Sequence, residues 1–377
     1  MRKLCVAQLL PALESGGVER GTLEISRYLV ARGHRSLVLS AGGRLVQTLR
    51  QEGGEHVTWD LGRKHPWTLR HIPGLRRFLR QQRVDILHAR SRMPAWVGWL
   101  AWKGMAPANR PRFVTTVHGL YSVNAYSAVM TRGERVIAVS DTVRHYLLQH
   151  YPGLDAGRIV VIPRGIDPAI YPPGYHPPPD WLHAWRAQYP ELSGKKVITL
   201  PGRITRLKGH EDFIELMRRL VGSGEDVHGL IVGGAEPKKR AYLEELRKRV
   251  AHADLQAHLT FTGQRSDLRE IMAVSDLVLS LSSQPESFGR TVLEALSMGV
   301  PVLGYEHGGV GEQLSRYHPQ GCVPLGDLDE LVKKCQALQA GSRIRTPAAL
   351  PTLDRMQAET LSLYQDLITQ HAPAHRA

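Results

Sequence analysis

The sequence predicts an α/β protein of two doubly wound domains facing a central cleft, and three observations carry that expectation. Short apolar runs alternate with amphipathic helical stretches from end to end, the pattern of parallel sheets covered by helices. At 377 residues the chain exceeds what one hydrophobic core usually covers. The alternation is interrupted by a Pro-rich stretch, Pro168 through Pro179, where proline blocks both helix continuation and ladder bonding.

Strands are expected at Leu4 to Leu10, Ser36 to Ser40, His56 to Asp60, Asp85 to His88, Phe113 to Val117, Val136 to Val139 and Ile159 to Ile162. A second series follows at Lys196 to Leu200, His228 to Val232, Leu259 to Phe261, Asp276 to Leu281 and Pro301 to Gly304. Helix-like spacing separates them. The expected division is a first domain over 1–170, a linker over 171–190, a second domain over 191–350, and a C-terminal helix and tail over 351–377. Ligands of such sheets bind at the carboxyl ends of the strands, so the loops there carry the functional argument.

Composition narrows the class. Hydrophobic residues make up 42% and charged residues 22%, which fits a folded globular chain rather than a disordered one. The N-terminal apolar run is cut by Pro11 and Glu14 and lacks a small-residue cleavage site, so it reads as a first strand rather than a signal peptide. The run from Met93 to Met105 contains Lys103 and is too short to span a bilayer. Cys5, Cys322 and Cys335 show no metal or redox spacing, which fits a reducing compartment, with the cytoplasm as the expected address.

The formal charge of +14 is one-sided, because residues 1–170 carry 25 Lys/Arg against 11 Asp/Glu. Arg70, Arg76, Arg77, Arg80 and Arg83 concentrate it on a helix with apolar spacing at Leu69, Ile72, Leu75 and Leu79. This is either a solvated helix face or a field for an anionic partner: a phosphorylated acceptor, an anionic lipid surface or nucleic acid. Trp96, Trp99 and Trp102 serve either interfacial anchoring or packing within the first domain.

Three loops bear candidate chemistry. After the first strand the chain runs Glu14-Ser15-Gly16-Gly17-Val18-Glu19-Arg20 into a helical pattern. The two glycines either let backbone approach a phosphate at a helix N-terminus or simply make the turn. The second series opens with Leu200-Pro201-Gly202-Arg203-Ile204-Thr205-Arg206-Leu207-Lys208-Gly209, whose cations suit a leaving diphosphate or merely a solvated loop. After the strand at Asp276 to Leu281 comes Glu286-Ser287-Phe288-Gly289-Arg290-Thr291-Val292-Leu293-Glu294. Glu286 is expected on the loop and Glu294 in the first turns of the next helix, with Gly289 permitting a tight entry. Two such carboxylates accept hydrogen bonds from several sugar hydroxyls, or Glu294 alone favours the helix dipole.

Together these segments resemble the retaining glycosyltransferases of family 4, which have the GT-B fold. The Glu-x7-Glu segment is that family's most recognisable motif. The likeness extends over nearly the whole chain through Gly16-Gly17, His118-Gly119, Val136-Ile137-Ala138-Val139-Ser140-Asp141, Ile162-Pro163-Arg164-Gly165-Ile166-Asp167 and Gly299-Val300-Pro301-Val302. The resemblance implies that the backbone of Gly16 and Gly17, with Arg203 and Lys208, holds the diphosphate, and that Glu294 accepts the ribose hydroxyls. It implies further that Glu286 and the amides of Phe288, Gly289 and Arg290 hold the donor sugar, and that backbone in Thr262-Gly263-Gln264-Arg265 meets the base. His118 is implied to lie near the anomeric carbon, although a lone histidine is more often structural. His118 and Glu286 are thus the expected catalytic residues, with no metal site. No cofactor is expected beyond the donor substrate, taken as UDP-hexose.

Many relatives carry Asn where this chain has Arg164, which supplies either an extra cation near the interdomain cleft or altered acceptor contacts. His88-Ala89-Arg90-Ser91-Arg92 with Pro94-Ala95-Trp96 is similar to bacterial enzymes of lipopolysaccharide core assembly. The expected partners are a nucleotide-sugar donor, an anionic glycan or lipid-linked acceptor, and an anionic membrane touched peripherally at the cytoplasmic face of the inner membrane. The alternatives are a nucleotide-sugar epimerase of the same fold and a basic nucleic-acid-binding protein. The second lacks the motifs and aromatic stacking pattern of such modules, so no nucleic acid is expected.

Overall fold

Parallel strands joined by crossover helices bury both faces of a sheet, which is why apolar runs here are nearly continuous rather than alternating. The computed structural model describes residues 2–14 and 16–370; Ser15 of the first loop and the tail 371–377 lie outside the described residues. Arg164–Leu353 forms one compact unit, while the chain up to Pro163 and the segment from Asp354 form the other.

The first unit runs β1 (Cys5–Leu9), α1 (Gly17–Ala31), β2 (Arg35–Ser40), α2 (Val46–Gln51), β3 (Glu55–Thr58), α3 (His71–Gln81), β4 (Ile86–Ala89), α4 (Arg92–Lys103), β5 (Arg112–Val117), β6 (Arg135–Ala138), α5 (Asp141–His150) and β7 (Ile159–Val161). Among the described residues its seven strands lie in the order β3-β2-β1-β4-β5-β6-β7, all parallel. The order reverses between β1 and β4, so the loops after these two strands flank the crevice where such sheets take ligands.

The basic stretch that contains α3 is expected to show five arginines to solvent, and here the structure differs at one. Arg76 is half-buried and donates from Nε to the carbonyl of Ala101 at 3.2 Å and from Nη2 to that of Leu100 at 3.1 Å. Its guanidinium therefore satisfies the last carbonyls of α4, as a cation at a helix C-terminus does. Arg70, Arg77, Arg80 and Arg83 are the exposed ones. The tryptophans of α4 are half-buried in their own unit: Trp96 Nε1 donates to the Tyr126 carbonyl at 2.9 Å and Trp102 Nε1 to that of Pro111 at 2.8 Å.

The second unit runs α6 (Pro179–Gln188), β8 (Lys196–Pro201), α7 (His210–Gly222), β9 (Val227–Val232), α8 (Arg240–His252), β10 (Leu259–Gly263), α9 (Leu268–Val274), β11 (Leu277–Ser280), α10 (Arg290–Ser297), β12 (Val302–Tyr305), α11 (Gly308–Tyr317), β13 (Cys322–Val323) and α12 (Leu328–Ala337). Its described strands form a parallel sheet in the order β10-β9-β8-β11-β12-β13. Here the order reverses between β8 and β11. The two-residue edge strand β13 is shorter than any apolar run that periodicity detects.

The segment expected to link the domains is instead built into the second unit. Tyr171 and Tyr175 pack on the cluster around Met272 and Val292, and Tyr175 donates to Glu270 at 3.0 Å. Trp185 of α6 is buried against Val197, Leu230 and Ile271. The last helix, α13 (Leu353–Thr369), continues from Asp354 with the first unit, where its apolar stripe at Leu361, Tyr364 and Leu367 is buried. The Tyr364 hydroxyl lies 2.6 Å from His88 Nδ1, while His88 Nε2 lies 2.6 Å from the Thr116 hydroxyl.

Tyr364→Phe keeps the ring but removes the buried hydroxyl contact to His88, so it should cost about 0.5–1.5 kcal/mol of stability. A denaturant midpoint equal to that of the wild type would show that the hydroxyl contributes nothing. A second outcome concerns acid. Burial pushes both His210 and His228 from 6.5 down to about 4. The unfolded chain binds these protons first, so stability falls as pH drops from about 6.5 to about 4 and then levels for these groups. A flat unfolding midpoint across that window would remove both as buried neutral histidines.

Candidate functional site

Strands β8 and β11 pair side by side, with Leu277 opposite Ile198, so the loops that leave their carboxyl ends are neighbours. Gly209 makes their contact close: with φ of 71° it occupies the left-handed region, and a Cβ there would lie 2.0 Å from the Leu281 carbonyl oxygen. The Ser283 amide donates to the Leu207 carbonyl at 2.9 Å. The result is that Lys208 Nζ reaches Glu286 Oε1 at 2.7 Å. Both side chains are about a quarter exposed, at 29% and 25%. Burial works to raise the Glu286 pKa, but the Lys208 charge and hydrogen bond, the Ser282 hydroxyl and the nearby His307 outweigh it, and the carboxyl is held below its ordinary value.

Behind Glu286 stands a support that the sequence reading missed. The Ser282 hydroxyl donates to Glu286 Oε1, and His307 Nε2 lies 2.6 Å from the Ser282 carbonyl. The Gly309 amide donates to the Glu286 carbonyl at 2.6 Å, and Gln313 Nε2 donates to the carbonyl of Phe288. Gly308 and Gly309 let α11 press on this loop: a Cβ on Gly308 would lie 2.8 Å from the Glu286 amide nitrogen, and one on Gly309 2.5 Å from Phe288 Cα. The signal for this support was the pair Gly308-Gly309 after the strand at Pro301 to Gly304.

Gly289, at φ 83°, turns the chain into α10, and Phe288 is buried. Glu294 is buried at 6% exposure one turn along α10, with Arg290 Nε 3.5 Å from its Oε1. The other expected cation, Arg203, stands apart from Glu286. Its guanidinium is 74% exposed and meets Glu236 at 3.1 Å, although its neighbour Gly202 lies against the Lys208 stem, with a Cβ there 3.4 Å from Cδ.

At the end of β10, Gln264 is exposed and lies against Gly234 on the loop after β9. Arg265 is committed to a two-pronged pair with Asp267 at 2.9 and 2.6 Å, and Trp181 Nε1 donates to the same carboxylate at 2.8 Å. Its side chain thereby fixes the shape of the loop. Gly16, Gly17 and His118 belong to the first unit. Gly16 precedes α1 with φ 141°, Gly17 opens that helix, and half-buried His118 directly follows β5. Arg164 is buried at 8% exposure. Among the described residues no group of three or more His, Cys, Asp or Glu is placed to hold a metal ion, and no helix is long and apolar enough to cross a membrane.

Two parallel sheets, each with one reversal in its strand order and the second bearing a lysine and a carboxylate beside that reversal, make two Rossmann-like α/β units. Residues 15–170 match Glycosyltransferase Family 4 and residues 183–346 match Glycosyl transferases group 1. A glycosyltransferase from Rickettsia africae is similar over 99% of this chain and 100% of that one, with a TM-score of 0.87 and 30% identity. The chain therefore belongs to glycosyltransferase family 4, with the two Rossmann-like domains of the GT-B fold. The Anabaena protein HepE, crystallised with UDP and glucose, shares the fold at a TM-score of 0.78 and 22% identity, over 95% of this chain and 99% of that one. The lipopolysaccharide core biosynthesis mannosyltransferase LpsB of Rhizobium meliloti is 29% identical over 184 residues, 49% of this chain and 48% of that protein. The matched part spans about half the length of the first curated relatives or less.

If the Gly308-Gly309 contact sets the Glu286 loop, Gly309→Ala should overpack it at a cost of about 1–3 kcal/mol. Hydrogen exchange in a peptide covering 283–290 should quicken, whereas Gly222→Ala, with nothing within 4 Å of its added Cβ, should leave it unchanged. Equal exchange in both variants would show that the loop holds itself.

Proposed function

We propose that this chain is a retaining hexosyltransferase that moves a sugar from a UDP-hexose to an anionic glycan or lipid-linked acceptor, in lipopolysaccharide core or other cell-envelope polysaccharide synthesis. The second unit takes the donor and the first meets the acceptor, at the cytoplasmic face of the inner membrane. The observation that carries the reading is the Lys208–Glu286 pair at the switch point of the second sheet. Before the donor binds, each group neutralises the other. A diphosphate arriving beside Lys208 replaces the carboxylate as its partner, and Glu286 is released to accept from the sugar hydroxyls.

The chemistry follows from that exchange. As the bond to the anomeric carbon breaks, negative charge grows on the leaving diphosphate, and a fixed ammonium stabilises it most at that moment. Gly16 and Gly17 offer backbone to the diphosphate and Glu294 accepts the ribose hydroxyls. Backbone of the loop at Gln264 and Arg265 meets the base, the amides of Phe288, Gly289 and Arg290 face the donor sugar, and His118 lies near the anomeric carbon. The HepE complex with UDP and glucose, in the same fold, supports a uridine nucleotide. The LpsB likeness supports an envelope glycan as product.

Lys208→Ala should lower turnover by about a hundredfold or more with the fold intact, because its charge acts on the transition state. Arg203→Ala should lose less, its guanidinium being exposed and paired with Glu236. Activity should survive EDTA, since Lys208 supplies charge that a metal would otherwise bring. The measurement is acceptor-dependent release of UDP; near-normal rates in Lys208→Ala, or a chemical step that needs added magnesium or manganese, would remove the assignment. Epimerised free sugar nucleotide formed without acceptor would point to an epimerase instead.

A further inference from the structure

The second unit holds a cavity of about 610 Å³ at the edge of its sheet opposite the Lys208–Glu286 pair. Its walls include Val197, the second residue of β8, and Asp276, the residue before β11. Lys208 and Glu286 follow the carboxyl ends of those same two strands. From Val197 to Pro201, β8 rises four residue steps, roughly 13 Å. Helix α6 and the turn at Pro190–Leu192 form the other wall. A ligand seated beside Lys208 therefore leaves this cavity open.

The apolar part of the lining is aliphatic, with half-buried Leu182, Leu192 and Val274 beside buried Val197. Trp185 offers no open ring face: it is 6% exposed, stacked on Trp181 at 5.0 Å and overlain by Arg265 at 5.6 Å. The polar part is cationic. Arg186 is exposed and Lys195 half-buried, and among the described residues neither side chain has a hydrogen-bond or ion-pair partner. Asp276, the one carboxylate among the described lining residues, is spent elsewhere: its two oxygens accept the amides of Val197 at 2.7 Å and Gly341 at 2.6 Å. The neighbouring Glu191 accepts from the Thr260 hydroxyl at 3.3 Å.

A cavity of this volume is the size that small ligands occupy, and its lining selects among them. Without an open aromatic face it gives a planar base nothing to stack on, and without an uncommitted carboxylate it holds sugar hydroxyls poorly. Two unpartnered cations suit a carboxylate or phosphate, and the aliphatic wall suits an alkyl chain, whose burial removes apolar surface of both partners from water. The apolar groups are recessed rather than projecting past the cations, so the occupant enters as a free molecule and not as part of a bilayer surface. We propose that this cavity binds a small anionic amphiphile, with its alkyl chain against Leu182, Leu192, Val197 and Val274 and its head group on Arg186 and Lys195. The site is separate from the donor crevice and stands whether or not the chain transfers a sugar.

The test is calorimetric titration of the full chain with decanoate and decyl phosphate, each below its aggregation concentration. Butyrate, which lacks the long chain, and decyltrimethylammonium, which reverses the charge, are the controls. Sedimentation with phosphatidylglycerol vesicles is a further arm. One or both long-chain anions should bind at least tenfold more tightly than either control, and which of them binds identifies carboxylate or phosphate as the head group held. R186Q/K195Q should weaken that binding at least tenfold at unchanged Tm. Leu182→Gln, which makes the wall polar at nearly the same size, should weaken it as well; if that variant loses Tm, R186Q/K195Q alone decides. Excess UDP should leave decanoate binding unchanged, because the crevice lies at the other edge of the sheet. Displacement of decanoate by UDP would put the amphiphile in the crevice and overturn the proposal. So would wild-type affinity in R186Q/K195Q, equal binding of decyltrimethylammonium, or capture by vesicles without binding of either soluble anion. Failure of UDP to bind while decanoate does would count against the transfer reading and leave this site standing.

Discussion

The contact between Lys208 and Glu286 spans 78 positions of sequence, and it exists because β8 and β11 are adjacent in a sheet whose strand order reverses between them. Parallel strands end on a common edge, and a reversal sends the two following helices to opposite faces, so the loops on either side of the reversal part and leave a crevice. A cation after one strand and a carboxylate after the other then meet across it. Gly209 closes the remaining distance, because only a residue without a side chain allows that turn against the Leu281 carbonyl. The first sheet repeats the device between β1 and β4, and there the loop bearing Gly16 and Gly17 faces the loop bearing Arg90 and Arg92.

A half-buried ion pair of this kind needs its carboxylate held in one orientation, or the desolvation of both groups outweighs their attraction. Glu286 gets that orientation from backbone as much as from side chains. Its carbonyl takes the Gly309 amide, its side chain takes the Ser282 hydroxyl, and Ser282 is tied in turn to His307. Every group in this set comes from the end of β11, the loop that follows it, or the first turn of α11 and its flank. The site therefore depends on the two strands β11 and β12 keeping their register, which their paired residues Val278 and Val302, Leu279 and Leu303, Ser280 and Gly304 fix.

Most of the architecture was legible because buried parallel strands are apolar on both faces, a signal that survives without any partner in view. The local placement of Glu286 on its loop, Gly289 at the turn and Glu294 in α10 was legible for a related reason: one strand, one tight turn and one helix are local. What was not legible is what depends on pairing at long range. Trp181 and Trp185 stand in a stretch rich in proline, and only the packed unit shows that they cover Val197 and Ile271 rather than solvent. The apolar stripe of α13 reveals a helix but not which unit it covers, and the partner that decides it, His88, lies 276 residues earlier. Arg76 was indistinguishable from Arg77 and Arg80 in charge and spacing, yet its place over the end of α4 takes it out of the exposed field.

That last correction alters how the basic half of the molecule is understood. An excess of charge concentrated in residues 1–170, with 25 Lys/Arg against 11 Asp/Glu, raises the local concentration of anions there before any contact forms. Such steering is screened within about 10 Å at ordinary salt, so it selects anions as a class and not one anion among many. Selection has to come from groups fixed in place, and the helix that concentrates the arginines is the poorer supplier of them: its exposed Arg80 makes a long, 3.5 Å contact to the carbonyl one turn back. Arg92, Lys64 and Arg70 are different, because each is held over an aromatic face that limits where its charge can be. The helix α3 supplies exposed charge; the loops at the carboxyl edge supply charge held over rings. Charge counted along the sequence identifies the first of these roles, and the second becomes visible only when cations and rings from loops after β3, β4 and β5 are brought to one edge.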